Sequence, residues 1–344
     1  MRIGILTGGS DCPGLNAAIR AVTRRAITAY DDQVLGIRNG WDGLIEGDIE
    51  PLSLYSVSGI LPKGGTILGT SLHNPFKSEE SIAKIIENTQ RYEISALVVI
   101  GGEDTLGVAH KLASKGVKAV GIPKTIDNDV EGTDISFGFD TAVGIATEAI
   151  DRLHSTAEAH HRVMVLEVLG RFSGAIAATA GIAGGADYIL VPEQPFSVDE
   201  VAKAIEARKR RGRNFSIIVV AEGARPQEAD REFGVAKRVD EYDHPVYGGA
   251  GDYVARKLEQ LLVQTEVRVT VLGPLQRGGS PTSYDRLLAT RFGVKAADMV
   301  HEGKFGRMAA LRGTEIVDAP ITEALQKPKT IDPKILEIAK VFFA

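Results

Sequence analysis

Short apolar segments alternate with helical segments along almost the whole chain, and most of them are followed by a glycine-containing loop. Uninterrupted apolar runs are typical of strands that are buried on both faces of a parallel sheet. We predict such strands at residues 3–6, 96–100, 117–122, 163–168, 217–221 and 267–272. Predicted helices cover residues 15–30, 81–89, 141–159, 173–182, 198–210, 251–263 and 284–301. The alternation predicts an α/β fold in which helices cover both faces of a parallel sheet.

Size and composition limit the classes of protein that fit the chain. Its 344 residues exceed what one hydrophobic core usually holds, so we expect two domains. The polar segment 225–247 is the best candidate for a long excursion. A formal net charge of -5 argues against nucleic-acid binding, because no broad basic surface is available. No apolar run approaches membrane-spanning length and no signal segment precedes Gly8, so we expect a cytoplasmic protein.

The single cysteine, Cys12, excludes a disulfide within the chain and fits a reducing compartment. A reactive thiol would need a nearby base, and Pro13 and Gly14 follow it instead of a histidine. We therefore interpret Cys12 as a small loop residue.

Three glycine-containing loops follow predicted strands, at the sheet edge where binding sites of parallel sheets lie. They are residues 8–11 (GGSD), 101–105 (GGEDT) and 121–129 (GIPKTIDND). Glycine lets a backbone approach phosphate closely, and a following helix start adds N–H donors. Neither a Walker A motif nor G-x-G-x-x-G is present, so a nicotinamide site is poorly supported. We assign Gly9 and Ser10 to the binding of a phosphoryl donor.

The third loop carries two carboxylates, Asp127 and Asp129, beside Lys124 and Thr125. Phosphoryl transfer requires a carboxylate base, carboxylates for Mg²⁺ and cations for the transferring group. Glu103, in the second loop, can add a further oxygen ligand to the metal. The alternative is that Asp-Asn-Asp forms a surface turn, which these residues favour. The two neighbouring glycine loops make the chemical interpretation the better one.

Arginines suited to bidentate phosphate binding stand at both ends of predicted strands. Arg162 and Arg268 begin strands, whereas Arg171 and Arg277 follow strand ends next to glycines. A single arginine is more often a surface ion pair, but this arrangement indicates an anionic substrate. Glu222, also after a strand, is suited to accept a hydrogen bond from a sugar hydroxyl.

Taken in order, these motifs resemble those of the 6-phosphofructokinases, and are most similar to the pyrophosphate-dependent branch of that family. The resemblance runs from Gly4 to Pro281 and is most specific at residues 125–129, 182–186 and 275–281. It implies two doubly wound, Rossmann-like parallel-sheet domains. The donor-binding domain is expected at 1–138 plus 252–304, and the sugar-phosphate-binding domain at 139–251 plus 305–344. It also implies Mg²⁺-dependent, reversible phosphoryl transfer to the 1-hydroxyl of fructose 6-phosphate, in glycolysis and gluconeogenesis.

The resemblance further implies a role for each matching catalytic residue. Asp127 takes the proton of the 1-hydroxyl. Asp129 orients Asp127 and binds Mg²⁺ together with Glu103. Thr125 contacts the transferring phosphoryl group.

Carried over in the same way, Gly170, Arg171 and Glu222 hold the sugar. The 6-phosphate is bound by Arg162, Arg268 and Arg277. Arg162 and Arg268 reach in from a neighbouring subunit, which implies a homodimer or homotetramer.

Four positions depart from the ATP-dependent bacterial pattern and concern the donor. Leu72 stands in place of an arginine, Pro274 in place of a histidine, and Asp104 and Lys124 in place of two glycines. The last pair resembles the pyrophosphate-dependent branch, so we expect pyrophosphate as donor. The alternatives are ATP as donor, or a non-catalytic sugar-phosphate-binding subunit. The second is disfavoured, because Asp127 and Asp129 are both present.

Overall fold

The computed structural model describes residues 1–227, 233, 239–244, 248–341 and 343. Its strands are β1 (Arg2–Thr7), β2 (Gln33–Ile37), β3 (Ile49–Leu52), β4 (Ala96–Gly101), β5 (Ala119–Pro123), β6 (Val163–Val168), β7 (Tyr188–Leu190), β8 (Ser216–Ala221), β9 (Val267–Val271), β10 (Arg307–Arg312) and β11 (Glu315–Pro320). Its helices are α1 (Leu15–Tyr30), α2 (Gly40–Glu46), α3 (Glu79–Arg91), α4 (Glu103–Ala113), α5 (Phe139–His160), α6 (Ala175–Ala183), α7 (Val198–Arg210), α8 (Ala250–Leu261), α9 (Ser283–His301), α10 (Ile321–Ala324) and α11 (Pro333–Lys340). Much of the predicted excursion at 225–247 lies outside the described residues.

The chain divides into two compact units. Unit 1 comprises Met1–Ile126, Val130–Thr141 and Arg277–Pro328. Unit 2 comprises Asp127–Asp129, Ala142–Gln276 and Lys329–Ala344. Each unit has its own sheet, and α5 begins in unit 1 and continues in unit 2.

Unit 1 is built on a sheet with the strand order β11-β10-β5-β4-β1-β2-β3. The inner strands are parallel, as expected, but β3 pairs antiparallel with β2, and β11 pairs antiparallel with β10. The predicted parallel sheet is therefore found, with one antiparallel strand added at each edge. At one of them, only Gly313 and Thr314 separate β10 from β11, and such a short turn can join only antiparallel strands. Strand β4 is buried along its whole length, as expected for a sheet covered on both faces.

Unit 2 is built on a parallel sheet with the strand order β7-β8-β6-β9. Every residue of β6 and β8 is buried. Helix α7 illustrates how the sequence produces the local structure. Ser197 caps its first turn by accepting from the Glu200 N–H, and basic residues occupy its last turn. Its apolar residues Val201 and Ile205, one turn apart, pack into the core of unit 2.

Most predicted elements are found within one or two residues of their predicted ends, and α1, β6 and α7 match exactly in extent. The unit boundaries differ from the predicted ones over two long segments and over two short ones, 127–129 in unit 2 and 139–141 in unit 1. Residues 252–276 belong to unit 2, because α8 packs on β6 and β9, and β9 pairs with β6. Residues 305–328 belong to unit 1, because β10 pairs with β5.

Candidate active site

The first two glycine loops lie side by side at the carboxyl ends of β1 and β4. The Gly8 N–H donates to the Ile100 carbonyl at 2.9 Å, and the side chain of Thr105 fills the space next to Gly8 and Gly101. A Cβ at Gly8 would lie 2.6 Å from the Thr105 side chain, and one at Gly101 would lie 2.3 Å from it. Both positions therefore require glycine because of this close approach.

Lys124 joins the third loop to the other two. Its ammonium donates a hydrogen bond to the Ser10 carbonyl, and its backbone N–H donates to the Gly101 carbonyl at 3.0 Å. The side chain is only 4% exposed, and its Nζ lies 3.4 Å from where a Cβ at Gly9 would be. Unit 1 thus brings together Gly9, Ser10 and Lys124, as the sequence predicted.

The first loop is also tied to the segment that precedes α3. The Gly9 N–H donates to the Ser71 carbonyl at 2.9 Å, and the Thr70 hydroxyl donates to the Gly9 carbonyl at 2.6 Å. Leu72 follows directly and is 52% exposed. Leu72 therefore presents apolar surface beside the first glycine loop.

Glu103 and Asp104 occupy the first turn of α4, which begins after Gly102. Carboxylates there are favoured by the positive end of the helix dipole, which gives both residues a structural role. Their negative charges also disfavour the binding of an anion at this helix start in the absence of a cation. A phosphate group can bind beside them only if a cation offsets their charge.

The carboxylates of the third loop lie in unit 2, immediately after the chain leaves unit 1 at Ile126. Asp127 is 9% exposed, so it is not part of a solvated surface turn. Asn128 has a φ of 52°, and its side chain accepts from the Lys329 ammonium at 2.9 Å. The Lys329 N–H donates to the Asp129 carbonyl at 2.7 Å, so the segment after α10 fixes this loop.

The carboxyl ends of β6 and β8 bring Gly170, Arg171 and Glu222 together. The Glu222 N–H donates to the Val168 carbonyl at 2.9 Å, and the Gly223 N–H donates to the Gly170 carbonyl at 3.1 Å. A Cβ at Gly223 would lie 2.1 Å from the Arg171 carbonyl oxygen, so the two loops are in close backbone contact. This cluster was predicted from the sequence.

Arg162 and Arg268 lie at the opposite, amino ends of β6 and β9. Both pair with Glu266, Arg162 through Nε at 2.6 Å and Arg268 through Nη2. Strand β6 has six residues and is about 20 Å long, at about 3.3 Å per residue, and its length separates Arg162 from the loop at Gly170. Within one chain, these two arginines are therefore not brought together with Arg171 and Glu222.

Arg277 lies in unit 1, whereas the other predicted phosphate-binding arginines lie in unit 2. Its Nη1 is 3.5 Å from the Asp11 carbonyl, so it stands beside the first glycine loop. Cys12 follows that loop and is fully buried, and burial raises the pKa of its thiol to about 12. Its environment is that of a structural thiol.

Two acidic residues in unit 2 were missed by sequence reasoning. Glu167, near the carboxyl end of β6, accepts from the Gly251 N–H at 2.7 Å and holds the start of α8. Burial raises the pKa of Glu167, and the backbone hydrogen bonds from Gly251 and Gly249 oppose the shift. A lone charge within an apolar run was a signal that could have revealed it. Asp240, which pairs with Arg171 at 3.1 Å, lies in a polar segment that gave no such signal.

Mg²⁺ keeps several waters and takes one or two carboxylates together with substrate phosphates. Glu103 in unit 1 and Asp129 in unit 2 are both partly exposed carboxylates, a residue type that suits such a metal. Within the described ranges, no group of three or more His, Cys, Asp and Glu side chains is placed to hold a metal ion. No helix among the described residues is long and apolar enough to span a membrane.

Comparisons with known proteins identify the family of the chain. The family model described as Phosphofructokinase matches residues 2–300. A pyrophosphate--fructose 6-phosphate 1-phosphotransferase of Streptomyces coelicolor is 53% identical over the full length of both chains. An ATP-dependent 6-phosphofructokinase 2 of the same organism is 48% identical, again over both full lengths.

A solved structure shows the same fold. The structure of Pichia pastoris phosphofructokinase in the T-state has a TM-score of 0.82 and 31% sequence identity. The match covers 99% of this chain and 36% of that longer chain. The chain therefore belongs to the phosphofructokinase family.

Proposed function

We propose that the chain transfers a phosphoryl group from pyrophosphate to the 1-hydroxyl of fructose 6-phosphate, giving fructose 1,6-bisphosphate and phosphate. The observation that carries this proposal is the position of Lys124. Its buried ammonium lies between the first and third loops, beside Gly9, where the donor is expected. A compact cation there offsets the charge of a small, strongly anionic donor.

The identity of the donor rests on residues, because the two Streptomyces relatives differ little in identity to this chain. Asp104 and Lys124 replace the glycines of the ATP-dependent pattern, and both lie in the glycine-containing loops of unit 1 to which we assign donor binding. Asp104 adds negative charge where the additional phosphate of ATP is expected. ATP as donor is the second candidate, favoured by the 48% identity to the ATP-dependent relative.

We assign the chemistry to residues of the third loop. Asp127 acts as the base that takes the proton of the 1-hydroxyl as its oxygen attacks, and Asp129 orients Asp127. Thr125 hydrogen-bonds the transferring phosphoryl group. Mg²⁺, held by Glu103 and Asp129, neutralises charge on the phosphoryl oxygens.

We assign donor binding to unit 1 and sugar-phosphate binding mainly to unit 2. Arg171, Gly170 and Glu222 hold the sugar, and Arg277 adds a contact to the 6-phosphate. The reaction is expected to be reversible, because pyrophosphate and the sugar ester release similar free energy. Such an enzyme would act in glycolysis and gluconeogenesis in the cytoplasm.

A homodimer or homotetramer completes the sugar-phosphate site in this proposal. Arg162 and Arg268 lie at the far end of the sheet from Arg171, so they would bind the 6-phosphate in a neighbouring subunit. Strand β9 is an edge strand of its sheet, and the apolar side chains near it are strongly exposed, with Val263 at 80%, Val271 at 53% and Leu275 at 67%. An exposed edge with apolar neighbours suits burial against a second copy of the chain.

The test is product identification by ³¹P NMR. Purified protein is incubated with fructose 6-phosphate, pyrophosphate and Mg²⁺, and a matched sample receives excess EDTA. The proposal predicts fructose 1,6-bisphosphate and phosphate in equal amounts, with no turnover in EDTA. Hydrolysis of pyrophosphate without sugar phosphorylation would contradict it.

A further inference from the structure

Arg171 is held by a single carboxylate in the part of the chain that the structure describes. Its Nη1 donates to Asp240 Oδ2 at 3.1 Å, and its guanidinium lies 5.6 Å from the centre of the Phe172 ring. Nε and Nη2 make no hydrogen bond with any described residue. Two of the three guanidinium nitrogens are therefore available to an anionic ligand while the third stays bound.

The Asp240 carboxylate is itself fixed by its own turn. Oδ1 accepts from the Tyr242 N–H at 2.9 Å and from the His244 N–H at 3.0 Å. The Asp240 N–H donates back to the His244 carbonyl at 2.9 Å. This closed turn holds the carboxylate in place independently of Arg171, so Asp240 can act as a fixed anchor for a mobile guanidinium.

We propose that Asp240 is a positioning residue, which orients the Arg171 guanidinium to bind the anionic sugar-phosphate substrate. The inference rests on the proposed function, in which Arg171 holds the sugar of fructose 6-phosphate. A long arginine side chain loses conformational freedom on binding, and an anchor that restricts it beforehand lowers that loss. Oδ1 of Asp240 is bound by backbone N–H groups and Oδ2 is bound by Arg171. The carboxylate therefore stabilises the turn and orients the arginine at the same time.

The alternative is that Asp240 competes with the substrate for Arg171 and weakens its binding. Competition would be strongest if the carboxylate bound the guanidinium with both oxygens. The observed contact uses one oxygen and one nitrogen, which favours orientation over competition. The two alternatives predict opposite changes when the charge of Asp240 is removed.

The experiment compares Asp240→Asn with Asp243→Asn in the full chain. Asparagine at 240 can still accept the two backbone N–H bonds, so the turn is kept while the charge is lost. Asp243 is exposed in the same turn and has a φ of 64°, which asparagine tolerates, so it is a matched control. KM and kcat for fructose 6-phosphate and its Kd by calorimetry are measured for each variant, with and without Arg171→Ala.

We expect Asp240→Asn to raise KM and Kd for fructose 6-phosphate about tenfold, the size of one misaligned charge-assisted contact. Asp243→Asn should match the wild type. In the Arg171→Ala background, Asp240→Asn should have no further effect, because the anchor acts through Arg171. The inference would be overturned if Asp240→Asn left the Kd for fructose 6-phosphate unchanged or lowered it. It would also be overturned if Asp240→Asn raised this Kd equally in the Arg171→Ala background.

The wild type separates this result from the proposed function. If it binds fructose 6-phosphate but transfers no phosphoryl group from pyrophosphate, the proposed donor fails and the Asp240 comparison still decides through Kd. If it does not bind fructose 6-phosphate at all, both proposals fail.

Discussion

Lys124 donates a hydrogen bond from its ammonium to the backbone carbonyl of Ser10 and thereby links the third glycine loop to the first. The ammonium is buried, and burial of a charge is tolerated only with a polar partner. A carbonyl oxygen is a neutral partner, so the positive charge of Lys124 is not cancelled by this contact. In the proposed function this ammonium also contacts an anionic donor beside Gly9.

Lys124→Gly should impair the use of pyrophosphate more than that of ATP. One charge-assisted hydrogen bond contributes about 1.5–3 kcal/mol, which corresponds to a fall of about 10- to 100-fold in kcat/KM for pyrophosphate. Initial rates at varied donor concentration give this value. KM for fructose 6-phosphate serves as the internal control, and an equal loss with both donors would contradict the role of Lys124.

Asp104→Gly should improve the use of ATP, because the resemblance places the α-phosphate near this side chain. Two like charges about 4 Å apart repel by about 4 kcal/mol at an effective dielectric constant near 20. Asp104→Asn removes the charge but keeps the side chain, so the difference between the two variants separates repulsion from steric exclusion. If neither variant gains activity with ATP, Asp104 does not select the donor.

Asp104 also has a structural role, so the thermal stability of both variants must be measured together with their kinetics. Asp104 lies in the first turn of α4, where its charge stabilises the helix by about 0.3–1 kcal/mol. Both variants should therefore show a slightly lower Tm. A thermal melt of each variant shows whether a change in kinetics reflects the donor site or a loss of folded protein.

Asp127→Asn should keep the fold and substrate binding but lose turnover. A general base contributes about 10²- to 10⁴-fold to kcat. We expect kcat to fall by that amount, with KM for fructose 6-phosphate close to the wild-type value. A rise in KM at unchanged kcat would instead make Asp127 a binding residue.

Mixing two inactive variants tests whether the sugar-phosphate site is shared between subunits. Arg268→Ala and Asp127→Asn remove groups that the proposal draws from different subunits, so a hybrid dimer contains one intact site. Co-refolding equal amounts should restore about a quarter of wild-type activity, because half of the dimers are hybrids with one working site of two. If cross-linking shows that hybrid dimers have formed but the activity stays at the level of the separate variants, the shared site is contradicted.

Much of the fold could be predicted because the buried parallel strands carry a strong local signal. The runs at β4, β6 and β8 are continuous apolar segments, and their ends were found within a residue. The antiparallel edge strands β3 and β11 were missed, because they are only partly buried and lack an apolar run. Their identity as strands depends on pairing with β2 and β10, which no local pattern reveals.

The site could be predicted where loops follow strands, as at Gly9, Lys124 and Arg171. Contacts between distant segments could not be predicted. Asp240 meets Arg171 across 69 residues, and Glu266 meets Arg162 across 104 residues. Such pairs are fixed by tertiary packing, so the sequence alone showed the arginines but not the carboxylates that hold them.

The ratio of kcat/KM for pyrophosphate to kcat/KM for ATP, measured on the wild type with fructose 6-phosphate and Mg²⁺, tests the central proposal most directly. A repulsion of about 4 kcal/mol corresponds to about a thousandfold in affinity, so we predict a ratio of that order in favour of pyrophosphate. Reverse activity with fructose 1,6-bisphosphate and phosphate should accompany it. Robust turnover with ATP and none with pyrophosphate would contradict the proposal and the roles given to Asp104 and Lys124.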